Sequence, residues 1–234
     1  MLTSSTMGTL YAGTSGFAYP AWRNGFYPAK LAAGRMLAYY AERLNGVELN
    51  GSFYRMPPQD TMTGWAGQVP PDFRFCLKAH RGLTYSGDAF DREGLAREVG
   101  RRLGELGARL GPVLLQFPPT RQREPALLDR LLTALDRRAA VEFRHESWFC
   151  EDVYAVLRAH GAPLVITDQE KWPRAPRVDV SPVAYYRLRR EYDAVALEEW
   201  RRELRAEAAA RDELHVYFRH EPEAAARAAY MLEG

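Results

Sequence analysis

The sequence predicts an α/β fold in which parallel strands alternate with helices, most simply a TIM-like (β/α)₈ barrel. Eight short apolar segments contain alternating polar residues, as half-buried strands do, and most of them precede a segment with helical spacing. Parallel strands need a crossover connection, and 234 residues is close to the length of about 250 that is typical of such barrels. A doubly wound open sheet is the alternative fold that the same alternation allows.

The predicted elements follow one another regularly along the chain. The strand segments are Leu10–Gly16, Gly46–Phe53, Phe73–His80, Pro112–Phe117, Ala140–His145, Pro163–Asp168, Ala184–Arg189 and Leu214–His220. The helical segments are Ala32–Asn45, Asp60–Gln68, Asp91–Leu110, Glu124–Arg138, Glu151–His160, Ala194–Ala210 and Pro222–Leu232.

The fourth helical segment shows the pattern most clearly, because its leucines recur at helical intervals and leave Asp129 and Arg130 on the opposite face. No such pattern occurs between the sixth and seventh strands. This interval contains Pro173, Pro176 and Pro182, and proline disrupts helix interiors. The sequence therefore predicts that one outer helix is missing after the sixth strand.

The composition is that of a folded globular protein. The chain is 47% hydrophobic and 26% charged with a formal net charge of +2, which excludes disordered, collagen-like and fibrous classes. Residues 1–234 contain no linker, low-complexity tract or clear internal repeat, so we expect a single domain. The near-neutral charge also gives no whole-chain argument for nucleic-acid binding, which usually goes with a large basic excess.

Neither a membrane nor an oxidising compartment is indicated by the sequence. The first residues lack a basic segment followed by an apolar one, and no apolar run approaches the roughly 20 residues of a membrane span. Cys76 and Cys150 could form one disulfide at most. We therefore expect a cytoplasmic protein with no membrane partner.

Polar side chains share one face of almost every predicted strand. On the second strand Val47 and Leu49 lie opposite Glu48, because successive side chains of a strand point to opposite faces. The other polar residues of this inner set are Asn50, Lys78, His80, Gln116, Glu142, Arg144, His145, Asp168, Arg187, Arg189, His215, Tyr217 and Arg219. If the apolar residues face the helices, the polar ones converge inside the barrel or at the carboxyl ends of its strands, where barrel enzymes assemble their sites.

Several interpretations of this set stay open. Its acids and bases could pair as an internal network that only fills the barrel. With His80 or His145, the acids could instead ligate a divalent metal, although no HExxH or CxxC spacing occurs. Lys78 could act as a proton donor, a base or a Schiff-base nucleophile if burial lowers its pKa, or it could form a salt bridge. We favour a cleft for a polar or anionic small ligand.

Two weaker features lie near the start of the chain. The segment Gly13–Gly16 could present backbone N–H groups to a phosphate, but an ordinary turn after the first strand explains it equally well. The aromatic residues between Phe17 and Tyr27 could stack on a base or a sugar, or they could pack as a loop over one end of the barrel.

A set of short motifs, spread from about Gly13 to Phe218, matches a known family. The motifs are Gly13–Phe17, Trp22, Phe26–Pro28, Val47–Asn50, Phe53–Tyr54, Trp65, Pro70–Phe75, Lys78, Gly111–Pro112, Gln116–Pro119, Glu142–His145, Ser147–Trp148 and Asp168. Through them, and above all through the EFRHxSW block at 142–148, the chain resembles the YecE-like family, also called domain of unknown function seventy-two. The resemblance implies a TIM-like barrel and does not by itself imply a reaction.

The family positions that this chain matches are nearly the set that the strand alternation selects, which strengthens the case for a cleft. Two positions depart from the family pattern. Arg189 and Arg190 stand where the resemblance leads us to expect His-Gly, and Arg219 and His220 stand where it leads us to expect Asn-Asn. Both replacements lie at the predicted mouth and make it more basic, so the ligand could differ from that of other members.

Three functions compete. The first is an enzyme acting on a phosphorylated or otherwise anionic substrate, with phosphate-ester hydrolysis as the favoured reaction and a divalent metal as the cofactor that its acids could hold. The second is a nucleic-acid-binding or endonuclease-like barrel, and the third is a non-catalytic ligand-binding barrel. The candidate catalytic residues are Glu142, Asp168, Lys78 and His145, and the candidate substrate-binding residues are Glu48, Asn50, Gln116, Arg144, Arg187 and Tyr217.

Overall fold

The structure, a computed structural model, describes residues 8–87 and 89–233, and a strand lies within or overlaps each of the eight predicted segments. The strands are β1 (Thr9–Ser15), β2 (Gly46–Leu49), β3 (Arg74–Leu77), β4 (Val113–Phe117), β5 (Ala139–Phe143), β6 (Ile166–Asp168), β7 (Val183–Leu188) and β8 (Glu213–Phe218). The fold is therefore α/β, as the alternation of strands and helices predicts.

The strands pair in parallel throughout the described sheets. Six of them form one sheet in the order β3-β2-β1-β8-β7-β6, and β4 and β5 form a second sheet. Isolated parallel bridges join the two sheets on both sides, between Lys78 and Leu114 and between Val141 and Leu164. Backbone hydrogen bonds of 2.9 Å accompany these bridges, from Ala79 N to the Leu114 carbonyl and from Val165 N to the Val141 carbonyl.

The helices connect successive strands. They are α1 (Met36–Ala41), α2 (Gln59–Ala66), α3 (Gly82–Tyr85), α4 (Arg92–Leu103), α5 (Pro125–Leu135), α6 (Glu151–Ala159), α7 (Ala194–Ala208) and α8 (Ala224–Leu232). Helix α5 begins at a proline, which has no N–H to leave unpaired at a helix start, and it buries all five of its leucines. Residues 169–182 contain no helix, as the prolines of this interval predict.

Several predicted boundaries were wrong for identifiable reasons. The helix predicted over Asp91–Leu110 ends at Leu103 and continues as a 3-10 segment, within which Gly107 has a φ of +54°. Strand β2 ends at Leu49 because residues 51–53 form a 3-10 turn. Helix α3 was not predicted, since a helix of four residues is too short to show a period.

The core consists of two clusters on opposite faces of the strands. The larger cluster lies between strands and helices and includes Val47, Phe75, Leu115, Val141 and Val216. The smaller cluster lies on the face that is turned away from the helices, which we call the inner face, and its members are Cys76, Leu114, Ala140, Val165, Tyr185 and Tyr217. The helix-facing residues are thus apolar as predicted, whereas the inner face is also apolar at Leu114, Ala140 and Val165, two residues before Gln116, Glu142 and Thr167.

Strands β1 and β2 approach each other closely at Gly13. A Cβ atom at this position would lie 1.8 Å from the carbonyl oxygen of Gly46 and 2.8 Å from the hydroxyl of Tyr40. That hydroxyl accepts from Thr14 N at 2.9 Å and donates to the Gly46 carbonyl at 3.0 Å. Gly13 is thus required by close packing at the strand pair beside the candidate site.

Within the described ranges, no helix is both long and apolar enough to cross a membrane.

Candidate functional site

Four polar residues meet on the inner face near the carboxyl ends of the strands. Each of them is the penultimate residue of its strand: Glu48 of β2, Gln116 of β4, Glu142 of β5 and Arg187 of β7. Gln116 and Glu142 are paired in register, and Gln116 Nε2 donates to Glu142 Oε1 at 2.8 Å. The parity rule predicts these positions because the side-chain period of a strand is two.

Arg187 is the centre of this group. Its Nε and Nη2 donate to the two carboxylate oxygens of Glu48, each at 2.9 Å, and its Nη1 donates to Glu142 Oε2. All three residues are buried. One guanidinium therefore neutralises charge on two carboxylates that belong to different sheets, in the fork geometry that makes such pairs strong.

Glu48 accepts further hydrogen bonds on both of its oxygens. Ser15 donates at 2.6 Å and Arg189 at 2.7 Å to Oε1, and Tyr185 donates at 3.0 Å to Oε2. Burial alone would raise the pKa of Glu48, but Arg187 and Arg189 hold that pKa well below its usual range. Glu48 is consequently a permanent anion whose acceptor positions are occupied by the protein.

Glu142 is held in the same way. Arg144 Nε donates to Glu142 Oε1 at 3.0 Å, on the oxygen that also accepts from Gln116. Burial would raise the pKa of this carboxyl, yet the attraction of Arg187 and Arg144 lowers it to about 2. A carboxylate in this state orients arginines and is poorly suited to donate or accept a proton near neutral pH.

Lys78 lies beside this network without an acidic partner. Its Nζ donates to Gln116 Oε1 at 2.7 Å and lies 3.8 Å from the centre of the Phe53 ring. No carboxylate oxygen of the described residues is within ion-pair distance of Nζ, so the salt bridge considered from the sequence is absent from this part of the chain. Burial, and then the positive charge of Arg187, lower the pKa of Lys78 to about 8 against the attraction of Glu142.

An open cavity of about 800 Å³ lies over the network. Six Lys or Arg side chains line it against two glutamates, and His220 and three uncharged polar residues complete the lining. The basic members are Arg144, Lys171, Arg187, Arg189, Arg190 and Arg219, and the acidic ones are Glu170 and Glu191. Four of these cations, Arg187, Arg189, Arg190 and Arg219, are ion-paired with carboxylates at or beside the lining. The terminal nitrogens of Arg144 and the ammonium of Lys171 have no ion pair among the described residues, so these two groups favour an anion in the cavity.

Arg144 offers the clearest donor to a ligand. Its Nε is engaged with Glu142, whereas neither of its Nη groups donates to an acceptor among the described residues. The guanidinium also lies 5.5 Å from the ring centre of Trp172. Arg144 is therefore fixed at one end by a buried carboxylate and presents its planar fork to the cavity, which is the arrangement that binds phosphate or carboxylate groups.

The structure places two predicted catalytic residues away from the network. Asp168 accepts from the Tyr192 hydroxyl at 2.8 Å and lines a neighbouring pocket. Applied strictly, the parity rule gives this outcome, because Asp168 follows Ile166 by two residues and Ile166 belongs to the helix-facing core. His145 Nδ1 accepts from Ser147 N at 3.1 Å and caps a 3-10 turn.

Of the predicted substrate-binding residues, Asn50 lies at the cavity and Tyr217 does not. Asn50 lines the cavity, donates to Glu48 at 3.4 Å and has a buried Oδ1 with no hydrogen-bond partner among the described residues. Tyr217 faces inward as predicted, but its hydroxyl contacts Cys76 Sγ at 3.2 Å and His215 Nδ1 at 3.1 Å inside the smaller core cluster. Its side chain is fully buried and does not line the cavity.

Ser15 and Arg189 are contacts of Glu48 that the candidate set did not contain. Arg189 Nη1 donates to Ser15 Oγ at 2.6 Å, so the two side chains support one another. Arg189 shares the parity of Arg187 on the seventh strand, which is the sequence signal for it. No sequence signal identifies Ser15, because a small residue at a strand end is common.

The two weaker features of the first loop have structural roles. Gly16 N donates to the Glu48 carbonyl at 2.7 Å and Thr14 N to the Tyr40 hydroxyl, so these amides do not point at a ligand. Among the aromatic residues, Trp22 and Tyr27 are buried, and Trp22 Nε1 donates to the Glu221 carbonyl at 3.0 Å. These two rings pack over one end of the strands and offer no free stacking surface.

The residues do not form a recognisable metal site. No group of three or more His, Cys, Asp or Glu side chains in the described ranges could hold a metal ion. Glu48 and Glu142, the acids nearest the cavity, direct their oxygens at arginines. The metal-ligand role expected as an alternative therefore has no support in the arrangement of these acids. Both cysteines carry free thiols.

Comparison with known proteins assigns a family. A family model described as "Protein of unknown function DUF72" matches residues 11–233. The chain is similar to the UPF0759 protein YecE of Escherichia coli (strain K12), with 30% identity over 61% of this chain and 51% of that protein. It is also similar to the UPF0759 protein YunF of Bacillus subtilis (strain 168), with 29% identity over 62% of this chain and 54% of that protein. The chain thus spans about half the length of these curated relatives.

Solved structures agree with this assignment. A DUF72 family protein from Thermotoga maritima MSB8 has a TM-score of 0.83 and 27% identity, and the match covers 96% of this chain and 98% of that one. A DUF72 family protein from Enterococcus faecalis V583 has the same fold, with a TM-score of 0.74, 20% identity and 96% coverage of each chain. The chain is a member of the DUF72 family.

Proposed function

We propose that the eight strands close into a TIM-like barrel whose carboxyl ends carry the functional site. The bridges on both sides of the β4-β5 sheet support closure, as does the inner-face cluster, to which residues from different strands contribute. In this arrangement the cavity over Arg187 occupies the end of the barrel at which barrel enzymes bind their substrates. The fold alone implies no particular reaction.

We propose that the protein is an enzyme acting on a small phosphorylated or otherwise anionic substrate bound in this cavity. The observation that carries the proposal is the excess of cationic side chains over carboxylates in the lining. A buried carboxylate fixes Arg144 at its Nε and leaves both Nη groups available. Preorganised cations of this kind stabilise negative charge without reorganisation, which is the largest contribution in many phosphoryl and acyl transfers.

Hydrolysis of a phosphate ester is the reaction that we assign first to this site. Arg144 and Arg189 would hold the phosphoryl oxygens while a water molecule attacks phosphorus and passes one proton to a phosphoryl oxygen. The P–O bond to the leaving group would break, and the Lys78 ammonium would donate a proton to the leaving oxygen and regain one from solvent. Its pKa of about 8 keeps Lys78 mostly protonated at pH 7 yet makes it a better acid than an ordinary lysine. Glu48 and Glu142 would position the arginines instead of exchanging protons.

A ligand panel tests the binding part of the proposal. The melting temperature of the purified chain is measured with phosphorylated metabolites, their unphosphorylated counterparts, carboxylates and a short oligonucleotide. We expect stabilisation by at least one phosphorylated compound and not by its unphosphorylated counterpart, and loss of this shift in R144Q. The matched control is R101Q, which removes an arginine from the exposed Glu98 pair. Stabilisation by the oligonucleotide alone would favour nucleic-acid binding instead.

The catalytic part is tested separately. Phosphate release from the stabilising compounds is followed with and without added Mg²⁺ or Mn²⁺, in the wild type, K78M and K78R. Loss of turnover in K78M with retained ligand stabilisation would place Lys78 in the reaction. Ligand stabilisation without turnover in the wild type under every condition would reduce the proposal to a ligand-binding barrel.

A further inference from the structure

Lys78 has an environment that differs from those of the other two lysines of the chain. Lys30 and Lys171 are exposed, whereas Lys78 is half-buried on the inner side of the candidate site. It donates to the neutral carbonyl oxygen of Gln116, and its Nζ faces the Phe53 ring. Neither partner stabilises an ammonium as a nearby carboxylate would.

Burial is the main cause that lowers the pKa of Lys78, and the charges around it oppose one another with a net effect in the same direction. Arg187 lowers the pKa more than Glu142 raises it, and Arg144 lowers it more than Glu48 raises it. Tyr85 reaches the same Gln116 oxygen at 3.4 Å and contributes no charge to the site. The pKa of Lys78 falls to about 8, which leaves roughly 300-fold more neutral amine at pH 7 than an ordinary lysine has.

Gln116 also orients the amine. Its side chain accepts from Lys78 through Oε1 and donates to Glu142 through Nε2, so a buried anion fixes the amide that holds Nζ. Glu142 in turn accepts from Arg144, whose free Nη groups face the cavity. The Lys78 amine, part of which is neutral at pH 7, is therefore linked to the Arg144 guanidinium through the side chains of Gln116 and Glu142.

We propose that Lys78 is a nucleophilic amine that forms an imine with an aldehyde or ketone, and that anionic carbonyl compounds are a substrate class of this site. The lone pair of Nζ attacks the carbonyl carbon, a C–N bond forms, and the oxygen takes one proton from nitrogen to give a carbinolamine. The C–O bond then breaks, and the oxygen leaves as water with the second nitrogen proton. No oxidant, reductant or metal is needed for this condensation.

The expectation that the carbonyl compound is an anion rests on the proposed function, whereas the reactivity of Lys78 does not. A pair of small aldehydes separates the two. Glyoxylate carries a carboxylate and acetaldehyde carries none, and the two are similar in size. The full chain is incubated at pH 7 with each aldehyde and sodium cyanoborohydride, which delivers hydride to an imine carbon and fixes the adduct as a secondary amine. Peptide mass spectrometry then gives the rate of modification at each lysine.

We expect Lys78 to be modified roughly tenfold faster than Lys30 and Lys171, which serve as controls in the same molecule, because its neutral fraction is larger. We expect no adduct at position 78 in K78R, because arginine keeps the positive charge but has no amine. The melting curve of K78R shows whether the variant is folded. If Lys78 reacts faster with glyoxylate than with acetaldehyde, and R144Q reduces this difference, both the inference and the anion site are supported. Equal rates support the amine and contradict the anion site. Modification of Lys78 no faster than of Lys30 with both aldehydes overturns the inference and leaves the ligand panel to decide the proposed function.

Discussion

Arg187 and Glu48 form a two-point ion pair on the inner face of the strands, with both N···O distances at 2.9 Å and exposed fractions of 6% and 0%. The two residues are 139 positions apart in the chain and lie on β7 and β2. The remaining terminal nitrogen of Arg187 binds Glu142 on β5. A single side chain thus fixes three strands relative to one another, directly beneath the cavity.

Loss of the Glu142 charge is expected to destabilise the fold. E142Q leaves Arg187 and Arg144 buried or half-buried with one carboxylate fewer, and breaking a buried pair from one side typically costs about 3 to 5 kcal/mol. The free energy of unfolding from chemical denaturation at pH 7 measures this loss. E98Q is the control, because its partner Arg101 is exposed, and it should unfold like the wild type. Equal stability of E142Q and E98Q would contradict the central role of the pair.

The same carboxylates predict a dependence of stability on acid. The pKa of Glu142 is about 2 in the folded chain and near its ordinary 4.5 in the unfolded chain, so its contribution is complete above pH 4.5 and disappears as the pH falls towards 2. The difference in unfolding free energy between the wild type and E142Q should therefore shrink across this interval. A difference that is constant from pH 7 to pH 2.5 would show that the Glu142 charge is not what stabilises the fold.

Removal of the buried hydroxyl group should reduce the free energy of unfolding more at Ser15 than at Thr167. Ser15 donates to Glu48, so S15A removes a hydrogen bond to a charged group and should cost about 1.5 kcal/mol. Thr167 Oγ1 is buried with no hydrogen-bond partner among the described residues, so T167V keeps the shape and should cost less than about 0.5 kcal/mol. Thermal and denaturant unfolding compare the two variants. A larger loss in T167V than in S15A would mean that these contacts are assigned incorrectly.

The tryptophan of the EFRHxSW block is expected to have a structural role. Trp148 is fully buried, stacks on Phe143 with ring centres 4.4 Å apart, and donates from Nε1 to the Arg121 carbonyl at 2.8 Å. W148A should lose about 3 to 5 kcal/mol of unfolding free energy through lost burial and a cavity. W172A removes a half-buried indole beside Arg144 and is the control. If W148A unfolds like W172A, the block does not stabilise the fold in this way.

The inner-face positions could be predicted from the sequence because the side-chain period of a strand is fixed. Val47 and Leu49 face the helices, so Glu48 must face inward, and the same argument gives Gln116, Glu142 and Arg187. On the sixth strand the same argument places Thr167, and not Asp168, on the inner face. Asp168 was chosen from the sequence because it is charged. Helix ends were less predictable: α4 ends at Leu103 and gives way to a 3-10 segment in which Gly107 has a φ of +54°.

Partners across the strands could not be predicted in the same way. Whether Arg187 pairs with Glu48 or with Asp168 depends on strand register and side-chain reach, which are tertiary properties. Tyr217 illustrates the difficulty, because its parity is correct but its hydroxyl lies against Cys76 and away from the cavity. The absence of a carboxylate beside Lys78 among the described residues was equally hidden, since the neighbouring strand β2 carries Glu48 on the inner face.

The central claim is that the cavity over Arg187 binds anions, and calorimetric titration of pyrophosphate into the full chain tests it most directly. We predict saturable binding to the wild type that weakens with added salt, and at least roughly tenfold weaker binding to R144Q, because one desolvated guanidinium contact to a phosphate is worth a large part of such an affinity. R101Q should bind like the wild type. No saturable heat with the wild type, or equal affinities of R144Q and R101Q, would contradict an anion site at Arg144.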